Sequence, residues 1–186
     1  MHNLYHKPVM LDQAINSLNI RENLNYVDAT FGMGGYTKSI LEKAQCKLIS
    51  IDQDPDVLIY AKKIKEKYNK NFSFITDSFK NITSIVNSKN LNGINGGIIA
   101  DLGFSSMQIE NADRGFSFMR DGPLDMRMSK KGQTAKDLIY SVTEKELSDI
   151  LWKYGEEKHS RAIARIIIND RKSQNIDRTF KLVDLI

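Results

Sequence analysis

The chain has 186 residues, a formal net charge of +4, 41% hydrophobic residues and 27% charged residues, which is the composition of an ordinary globular protein. Its single cysteine, Cys46, excludes a disulfide framework and a thiolate zinc cluster, and its three histidines lack metal-ligand spacing, so no metal site is predicted. The mild positive charge permits an acidic partner such as nucleic acid. No signal pattern and no long apolar run is visible, so we expect a cytoplasmic protein without a membrane span.

A helix is predicted around residues 11–18, and four strands that each end in an aspartate follow it. These aspartates are Asp28, Asp52, Asp77 and Asp101, and stretches of helical character separate the short apolar or β-branched runs before them. This rhythm predicts βα units and therefore an α/β, Rossmann-like sheet of four parallel strands. All four aspartates would lie at the carboxyl edge of the sheet, where open α/β folds bind ligands. A further helix is predicted over 55–68, with Asp54 as its cap.

The pattern changes after residue 104. Residues 104–133 contain glycines and a proline without a clean period, which predicts a long structured loop. Two helices are then predicted from capping pairs, which are Thr134 with Asp137 and Thr143 with Glu146. Gly155 is expected to end the second of these helices. A third helix is predicted over 156–172, and Thr179 is expected to cap a fourth.

The number of predicted strands and the residues at the end of the chain predict that this sequence is a piece of a longer protein. Four strands are few for a doubly wound sheet, and the chain stops on the apolar pair Leu185-Ile186 shortly after the fourth helix starts. We therefore expect an incomplete sheet in an N-terminal part of the protein.

The loop after the first strand reads Gly32-Met33-Gly34-Gly35-Tyr36-Thr37. It differs from the dinucleotide fingerprint G-x-G-x-x-G because its last position is threonine. The carboxylate of Asp28 just ahead of the glycines would repel a pyrophosphate. The loop therefore suits a cationic, phosphate-free ligand such as S-adenosylmethionine, and the alternative is a tight βα turn with a capping aspartate.

Three further strand ends add to this site. Asp52 lies where an acidic residue contacts ribose hydroxyls in nucleotide-binding sheets, and its carboxylate can accept from both hydroxyls. At the third strand end, either Asp77 bonds an adenine or Phe79 packs on it. Asp101 would lie near the reactive end of the cofactor, or else it caps a loop. The glycine loop and the carboxylate of Asp52 together predict a nucleoside cofactor.

Several longer segments form a specific pattern along the chain. They are H-K-P-V-M-L at 6–11, D-A-T-F-G-M-G-G-Y-T at 28–37, I-D-Q-D-P at 51–55, D-L-G-F-S-S-M-Q at 101–108, R-G-F-S-F-M-R-D-G-P-L-D-M-R-M at 114–128 and Y-G-E-E at 154–157. This pattern resembles the MraW/RsmH methyltransferases. The resemblance implies S-adenosylmethionine-dependent methylation of the exocyclic N4 amine of a cytidine in 16S ribosomal RNA, with the small ribosomal subunit as the partner.

The resemblance also implies a set of site residues and a division into domains. The implied cofactor contacts are Gly34, Gly35, Tyr36, Asp52, Phe79, Asp101 and Gln108. Phe79 is thereby favoured over Asp77. Position 36 is usually histidine in the family and is tyrosine here, a change that alters a side-chain contact and keeps a backbone contact. Residues 1–104 would be the N-terminal part of the methyltransferase domain. Residues 105–186 would be a loop and helical substrate-recognition insertion, truncated at its C-terminal end.

Candidate catalytic and RNA-binding residues are assigned from their positions in the sequence. Asp101, or a carbonyl within 101–105, is the candidate that polarises the acceptor amine, although the proline-rich tetrapeptide of other amine methyltransferases is absent. RNA contacts are predicted for two sets, which are Arg114, Phe116, Phe118, Arg120 and Arg127 in the loop and Lys158, Arg161, Arg165 and Lys172 on one helix face. The alternatives are a packed loop and a merely solvated face.

Two other functions compete with the RNA methyltransferase. One is a truncated, inactive remnant of such an enzyme that at most binds cofactor or RNA. The other is an NAD-type oxidoreductase, against which the missing third glycine and the charge of Asp28 argue.

Overall fold

The computed structural model describes residues 8–89 and 93–186. They fall into two compact units, Met1–Gly103 and Phe104–Ile186. The predicted role of the second unit as a substrate-recognition insertion stays a prediction, and His6 and Lys7 of the first sequence segment lie outside the described residues. None of the described helices is both long and apolar enough to cross a membrane.

The first unit alternates helices with strands that pair in parallel. Its elements are α1 (Leu11–Leu18), β1 (Asn25–Asp28), α2 (Gly35–Lys43), β2 (Lys47–Asp52), α3 (Leu58–Tyr68), β3 (Phe72–Thr76), α4 (Ile82–Ser88) and β4 (Gly97–Ile99). The strand order is β3-β2-β1-β4, and every pairing is parallel. The predicted α/β fold with a Rossmann-like parallel sheet is confirmed.

The two central strands bury side chains on both faces, as expected for a parallel sheet. Successive residues point to opposite faces, so Tyr26 and Leu48 join one buried cluster whereas Val27 and Ile49 join the other. A short 3-10 turn at Pro55–Val57 leads into α3, and Asp54 Oδ1 accepts from the backbone N of Asp56 at 3.0 Å, which confirms the predicted cap.

The second unit is helical. It contains α5 (Ser106–Glu110), α6 (Ala135–Ser141), α7 (Glu144–Gly155), α8 (Ser160–Asp170) and α9 (Thr179–Val183), with a 3-10 turn at Ala112–Arg114. Its buried cluster consists of Leu124, Ile139, Leu147, Ala164, Ile167, Ile168 and Ile176. Both predicted capping boxes are present at the starts of α6 and α7.

Two of the predicted helix limits are wrong. The third helix was predicted over 156–172, but α8 starts only at Ser160, because Glu156, the C-cap that follows Gly155 at the end of α7, adopts a left-handed conformation with φ 51°. Thr179 does not cap α9: it is the first helical residue, and Arg178 is the N-cap. The Thr179 hydroxyl instead accepts from the backbone N of Gly122 at 3.1 Å.

Candidate cofactor-binding site

The four aspartates that punctuate the sequence lie at the carboxyl edge of the sheet. Asp28 and Asp52 are the last residues of β1 and β2, Asp77 directly follows β3, and Asp101 lies shortly after β4. Because all four strands are parallel, these residues follow the same ends of neighbouring strands. This is the edge at which open α/β sheets bind ligands.

The glycine loop between β1 and α2 is a tight turn that requires glycine. Gly32 and Gly34 have φ values of 53° and 81°, a region that other residues rarely adopt. A Cβ on Gly34 would also lie 2.6 Å from Ile64 Cδ1. The loop therefore brings the backbone close to α3, whether or not a ligand approaches it.

The buried side chain of Asp28 fixes this loop through hydrogen bonds. This side chain is fully buried, Oδ1 accepts from the backbone N of Thr30 at 3.1 Å, and Oδ2 accepts from the Thr37 hydroxyl at 2.7 Å. The Thr37 hydroxyl is also 2.6 Å from Ser50 Oγ in β2. Burial raises the pKa of Asp28 to about 6, although the hydrogen bonds from Thr37 and Thr30 act in the opposite direction.

Asp52 braces the loop from the neighbouring strand. Its Oδ2 accepts from the backbone N of Gly32 at 2.8 Å, and its Oδ1 accepts from the backbone N of Asp54 at 2.9 Å. The half-buried position raises the pKa of this carboxyl, and these backbone hydrogen bonds partly offset the effect. The backbone N–H of Gln53 also hydrogen-bonds this carboxyl, so of its roughly four acceptor sites Asp52 keeps capacity for about one further donor.

After the third strand, the side chains of Asp77 and Phe79 differ in whether they are available to a ligand. Asp77 Oδ1 accepts from the backbone N of Ser78 at 2.7 Å and from Asn81 Nδ2 at 2.9 Å, so this carboxylate serves its own turn. The Phe79 side chain is 43% exposed. An exposed ring is available to stack on a base, whereas Asp77 is occupied locally, and this difference favours Phe79 as the predicted adenine contact.

Tyr36 and Asp101 are two further predicted site residues of the first unit. Tyr36 is buried, and its hydroxyl donates to the carbonyl oxygen of Val9. Burial raises the pKa of Tyr36, and the charges of Asp101 and Asp28 add to that effect. Because the Tyr36 hydroxyl serves the segment before α1, we expect this position to contact a cofactor through its backbone. Asp101 is exposed, and its backbone N donates to Thr30 Oγ1 at 2.7 Å.

Gln108 belongs to the second unit, whereas the other predicted site residues belong to the first. It is buried and closes the capping box of α5, since its Oε1 accepts from the backbone N of Ser105 at 2.9 Å. Its predicted cofactor contact stays a prediction. Among residues 8–89 and 93–186, no group of histidine, cysteine, aspartate and glutamate side chains has a geometry that could hold a metal ion.

Sequence reasoning missed the polar groups beneath the site. Thr30, Thr37 and Ser50 connect β1, α2 and β2 through hydrogen bonds to Asp28 or to each other. Ser50 could have been noticed, because a serine inside an otherwise apolar buried strand needs a partner. Nothing in the sequence shows which partner it has.

The loop arginines that were predicted to bind RNA make hydrogen bonds or ion pairs within the second unit. Arg114 is buried and donates to the carbonyl oxygens of Arg127 and Met128 at 3.0 and 2.9 Å. The guanidinium of Arg127 pairs with Asp125, with the closest atoms 2.6 Å apart. Arg120 donates to the carbonyl oxygen of Glu110. These contacts favour the packed-loop alternative, although Phe118 remains 72% exposed.

The basic helix face is solvated and partly neutralised. Arg161 and Arg165 are exposed on α8, and Arg165 Nε lies 3.4 Å from Glu144 Oε1. Together with side chains of α7 they line a cleft of about 420 Å³, whose residues are Glu144, Lys145, Ser148, Asp149, Arg161 and Arg165. The cleft carries both signs of charge, so its geometry alone does not single out an RNA contact.

Comparison with known proteins gives matches over most of the chain. A model of the MraW methylase family matches residues 3–186. The chain is 43% identical over 181 residues to ribosomal RNA small subunit methyltransferase H of Rickettsia massiliae, and 45% identical over 181 residues to the protein of the same name from Rickettsia canadensis. Each alignment covers 97% of this chain and 58% of the relative. The chain thus spans less than two thirds of the length of these relatives.

Similarity to solved structures is more distant. An rRNA methylase from Streptococcus thermophilus is 21% identical with a TM-score of 0.37, and the match covers 42% of this chain and 49% of that one. A SAM-dependent methyltransferase from Aquifex aeolicus is 18% identical with a TM-score of 0.36, and the match covers 76% of this chain and 77% of that one.

Proposed function

We propose that this chain, which belongs to the MraW methylase family, binds S-adenosylmethionine and serves the methylation of ribosomal RNA. The observation that carries this proposal is the arrangement at the carboxyl edge of the sheet. There Asp52 braces the glycine loop and keeps acceptor capacity, while the Phe79 ring is exposed after the neighbouring strand. A ribose and an adenine need such a carboxylate and such a ring, respectively.

The other cofactor contacts follow the same edge. Helix α2 begins at Gly35 without a side-chain hydrogen bond from its N-cap, Gly34. The N–H groups of a first helical turn suit a carboxylate, such as that of the methionine part of the cofactor. The backbone of Tyr36 would join these contacts, and Asp101 would lie near the methyl group.

The proposed substrate is the exocyclic N4 amine of a cytidine in 16S ribosomal RNA of the small subunit. S-adenosylmethionine supplies a methyl group on a positively charged sulfur. Nitrogen forms a bond to the methyl carbon while the carbon–sulfur bond breaks, and the electron pair stays on sulfur. Positioning lowers such a barrier by roughly 7–11 kcal/mol at best. The carboxylate of Asp101 accepts a hydrogen bond from the amine N–H and then takes the proton.

Three single substitutions test the cofactor site. Asp52→Ala is expected to weaken S-adenosylmethionine binding about 100-fold, because hydrogen bonds to a charged group contribute about 1.5–3 kcal/mol. Phe79→Ala is expected to weaken it about 10-fold through lost stacking. Asp77→Ala is the matched control and should change the affinity less than about 3-fold, because its carboxylate bonds only its own turn. Isothermal titration calorimetry measures all four proteins.

The same titrations separate the proposal from its competitors. Phe79 is exposed, so its replacement weakens binding without unfolding the chain, and circular dichroism checks the fold of each variant. Absence of saturable S-adenosylmethionine binding by the unsubstituted chain contradicts the cofactor assignment. Saturable binding of NAD in its place would favour the oxidoreductase.

Methyl transfer is tested on the RNA itself. With labelled S-adenosylmethionine and small ribosomal subunits that lack the modification, we expect label in 16S ribosomal RNA and N4-methylcytidine in its nuclease digest by mass spectrometry. Asp101→Asn, which removes the proton acceptor, should lower the rate about 100-fold. Label that appears at a carbon atom or in another nucleotide would refute the N4-cytidine assignment.

A further inference from the structure

The segment after β1 is linked to the segment after β4 by a side chain. The last backbone bond between these segments runs from the N of Ala29 to the carbonyl oxygen of Ile99 at 2.8 Å. Beyond it, the backbone N of Asp101 donates to Thr30 Oγ1 at 2.7 Å. A threonine hydroxyl thus takes the place of the strand carbonyl where the ladder ends.

This bond ties the backbone of Asp101 to the loop after β1. Asp101 is exposed, and β4 is a strand of three residues at one end of the sheet order. No other hydrogen bond ties Asp101 to the described part of the first unit. Without the hydroxyl of Thr30, the backbone N of Asp101 would lose its hydrogen-bond acceptor in the described part of the first unit.

Thr30 is itself fixed from the interior. Its backbone N donates to Asp28 Oδ1 at 3.1 Å, and Asp28 is fully buried. The same carboxylate accepts from the Thr37 hydroxyl, which contacts Ser50 Oγ in β2. Thr37 in α2 therefore fixes the carboxylate of Asp28, this carboxylate fixes the backbone of Thr30, and the side chain of Thr30 accepts from the backbone N of Asp101. Fully partnered buried networks of this kind are rigid.

We propose that Thr30 is a positioning residue, which orients Asp101 at the carboxyl edge of the sheet through a hydrogen bond to its backbone. This inference rests on the proposed function, in which Asp101 faces the reacting methyl group and amine. The role matters because a small misplacement of a reacting partner lowers the rate strongly. In this role Thr30 acts through Asp101.

The test compares Thr30→Val, which keeps the shape and removes the acceptor, with Thr30→Ser, which keeps a hydroxyl. Amide hydrogen exchange of Asp101, measured by NMR on the ¹⁵N-labelled chain, is expected to be about 10-fold faster in T30V and to return towards the original rate in T30S. Thr83→Val, on the exposed face of α4, is the matched control and leaves both exchange at Asp101 and activity unchanged.

Kinetics separate positioning from binding. In T30V we expect kcat to fall about 10-fold while the dissociation constant for S-adenosylmethionine changes less than about 3-fold. Unchanged exchange at Asp101 in T30V overturns the proposal, whether or not the chain transfers methyl groups. Faster exchange with an unchanged kcat overturns it as well.

Failure of the proposed function gives a different result. If the unsubstituted chain binds the cofactor but methylates no RNA, the methylation proposal fails. Positioning is then judged by the shift of the Asp101 amide signal on cofactor binding. A shift that T30V abolishes and T30S keeps supports the role of Thr30, and a shift that survives in T30V refutes it.

Discussion

Gly122→Ala is expected to lower the free energy of unfolding of the second unit by about 3 kcal/mol or more, because a methyl group has no room at this position. A Cβ there would lie 1.8 Å from the carbonyl oxygen of Ala112 and 2.7 Å from its carbonyl carbon. Both are backbone atoms of a 3-10 turn that cannot rotate away.

Hydrogen bonds to Thr179 also keep Gly122 from moving away from Ala112. The backbone N of Gly122 donates to the Thr179 hydroxyl at 3.1 Å, and its carbonyl oxygen accepts from the backbone N of Thr179 at 2.9 Å. Movement away from Ala112 therefore breaks two hydrogen bonds to the start of α9. Urea denaturation followed by circular dichroism and by the fluorescence of the single tryptophan, Trp152 in α7, measures the loss.

Gly155→Ala is the matched control. A Cβ on Gly155 would meet nothing within 4 Å, and the residue ends α7, where alanine favours the helix by up to about 1 kcal/mol. The control variant should be as stable as the original chain or slightly more stable. If Gly122→Ala unfolds within about 0.5 kcal/mol of the original chain, the close approach to Ala112 is wrong.

The positions of the strands along the chain could be predicted from local pattern because each strand carries its own signal. The run Leu48-Ile49-Ser50-Ile51 before Asp52 is an example, since apolar β-branched residues bounded by a polar turn define a strand without reference to the rest of the chain. Thr179 shows the limit. Its hydroxyl serves Gly122, 57 residues away, so a local capping rule placed it one residue wrongly.

The candidate site shows the same difference between residues that a local pattern defines and residues that distant contacts define. Asp52 could be chosen because strand ends have known places in α/β sheets, whereas only the family resemblance favoured Phe79 over Asp77. The arginines of the 114–128 loop could not be assigned, because carbonyl oxygens that become acceptors only in the folded loop decide whether Arg114 is buried or free. The link from Thr30 to Asp101 spans 71 residues and has no signature in the sequence.

Asp28→Asn is expected to make the first unit more stable at neutral pH by roughly 3 kcal/mol. Burial raises the pKa of Asp28 from 3.8 to about 6 in the folded chain, and each pKa unit corresponds to about 1.4 kcal/mol. Between about pH 4 and pH 6 the folded state therefore binds more protons than the unfolded state. Stability from this group is present below pH 4 and is lost as the pH rises through about 6.

Asparagine can reproduce the side-chain hydrogen bonds that the protonated acid would make. Its Oδ1 can accept from the backbone N of Thr30, and its Nδ2 can donate to the Thr37 hydroxyl, which can then donate to Ser50 Oγ, since either hydroxyl of that pair could be the donor. Asp28→Ala, in contrast, leaves these buried groups without their acceptor and is expected to be destabilising at every pH, by about 1–3 kcal/mol for each group.

The measurement is the difference in unfolding free energy between Asp28→Asn and the original chain, taken by urea denaturation from about pH 4 to about pH 7.5. The difference should grow with pH and level off above pH 6, because only the original chain must ionise a buried carboxyl. Asp77→Asn removes the same charge from a half-buried turn at the same edge and corrects for charge effects shared by both sites. A difference that stays constant across this range would show that Asp28 is not desolvated as its burial implies.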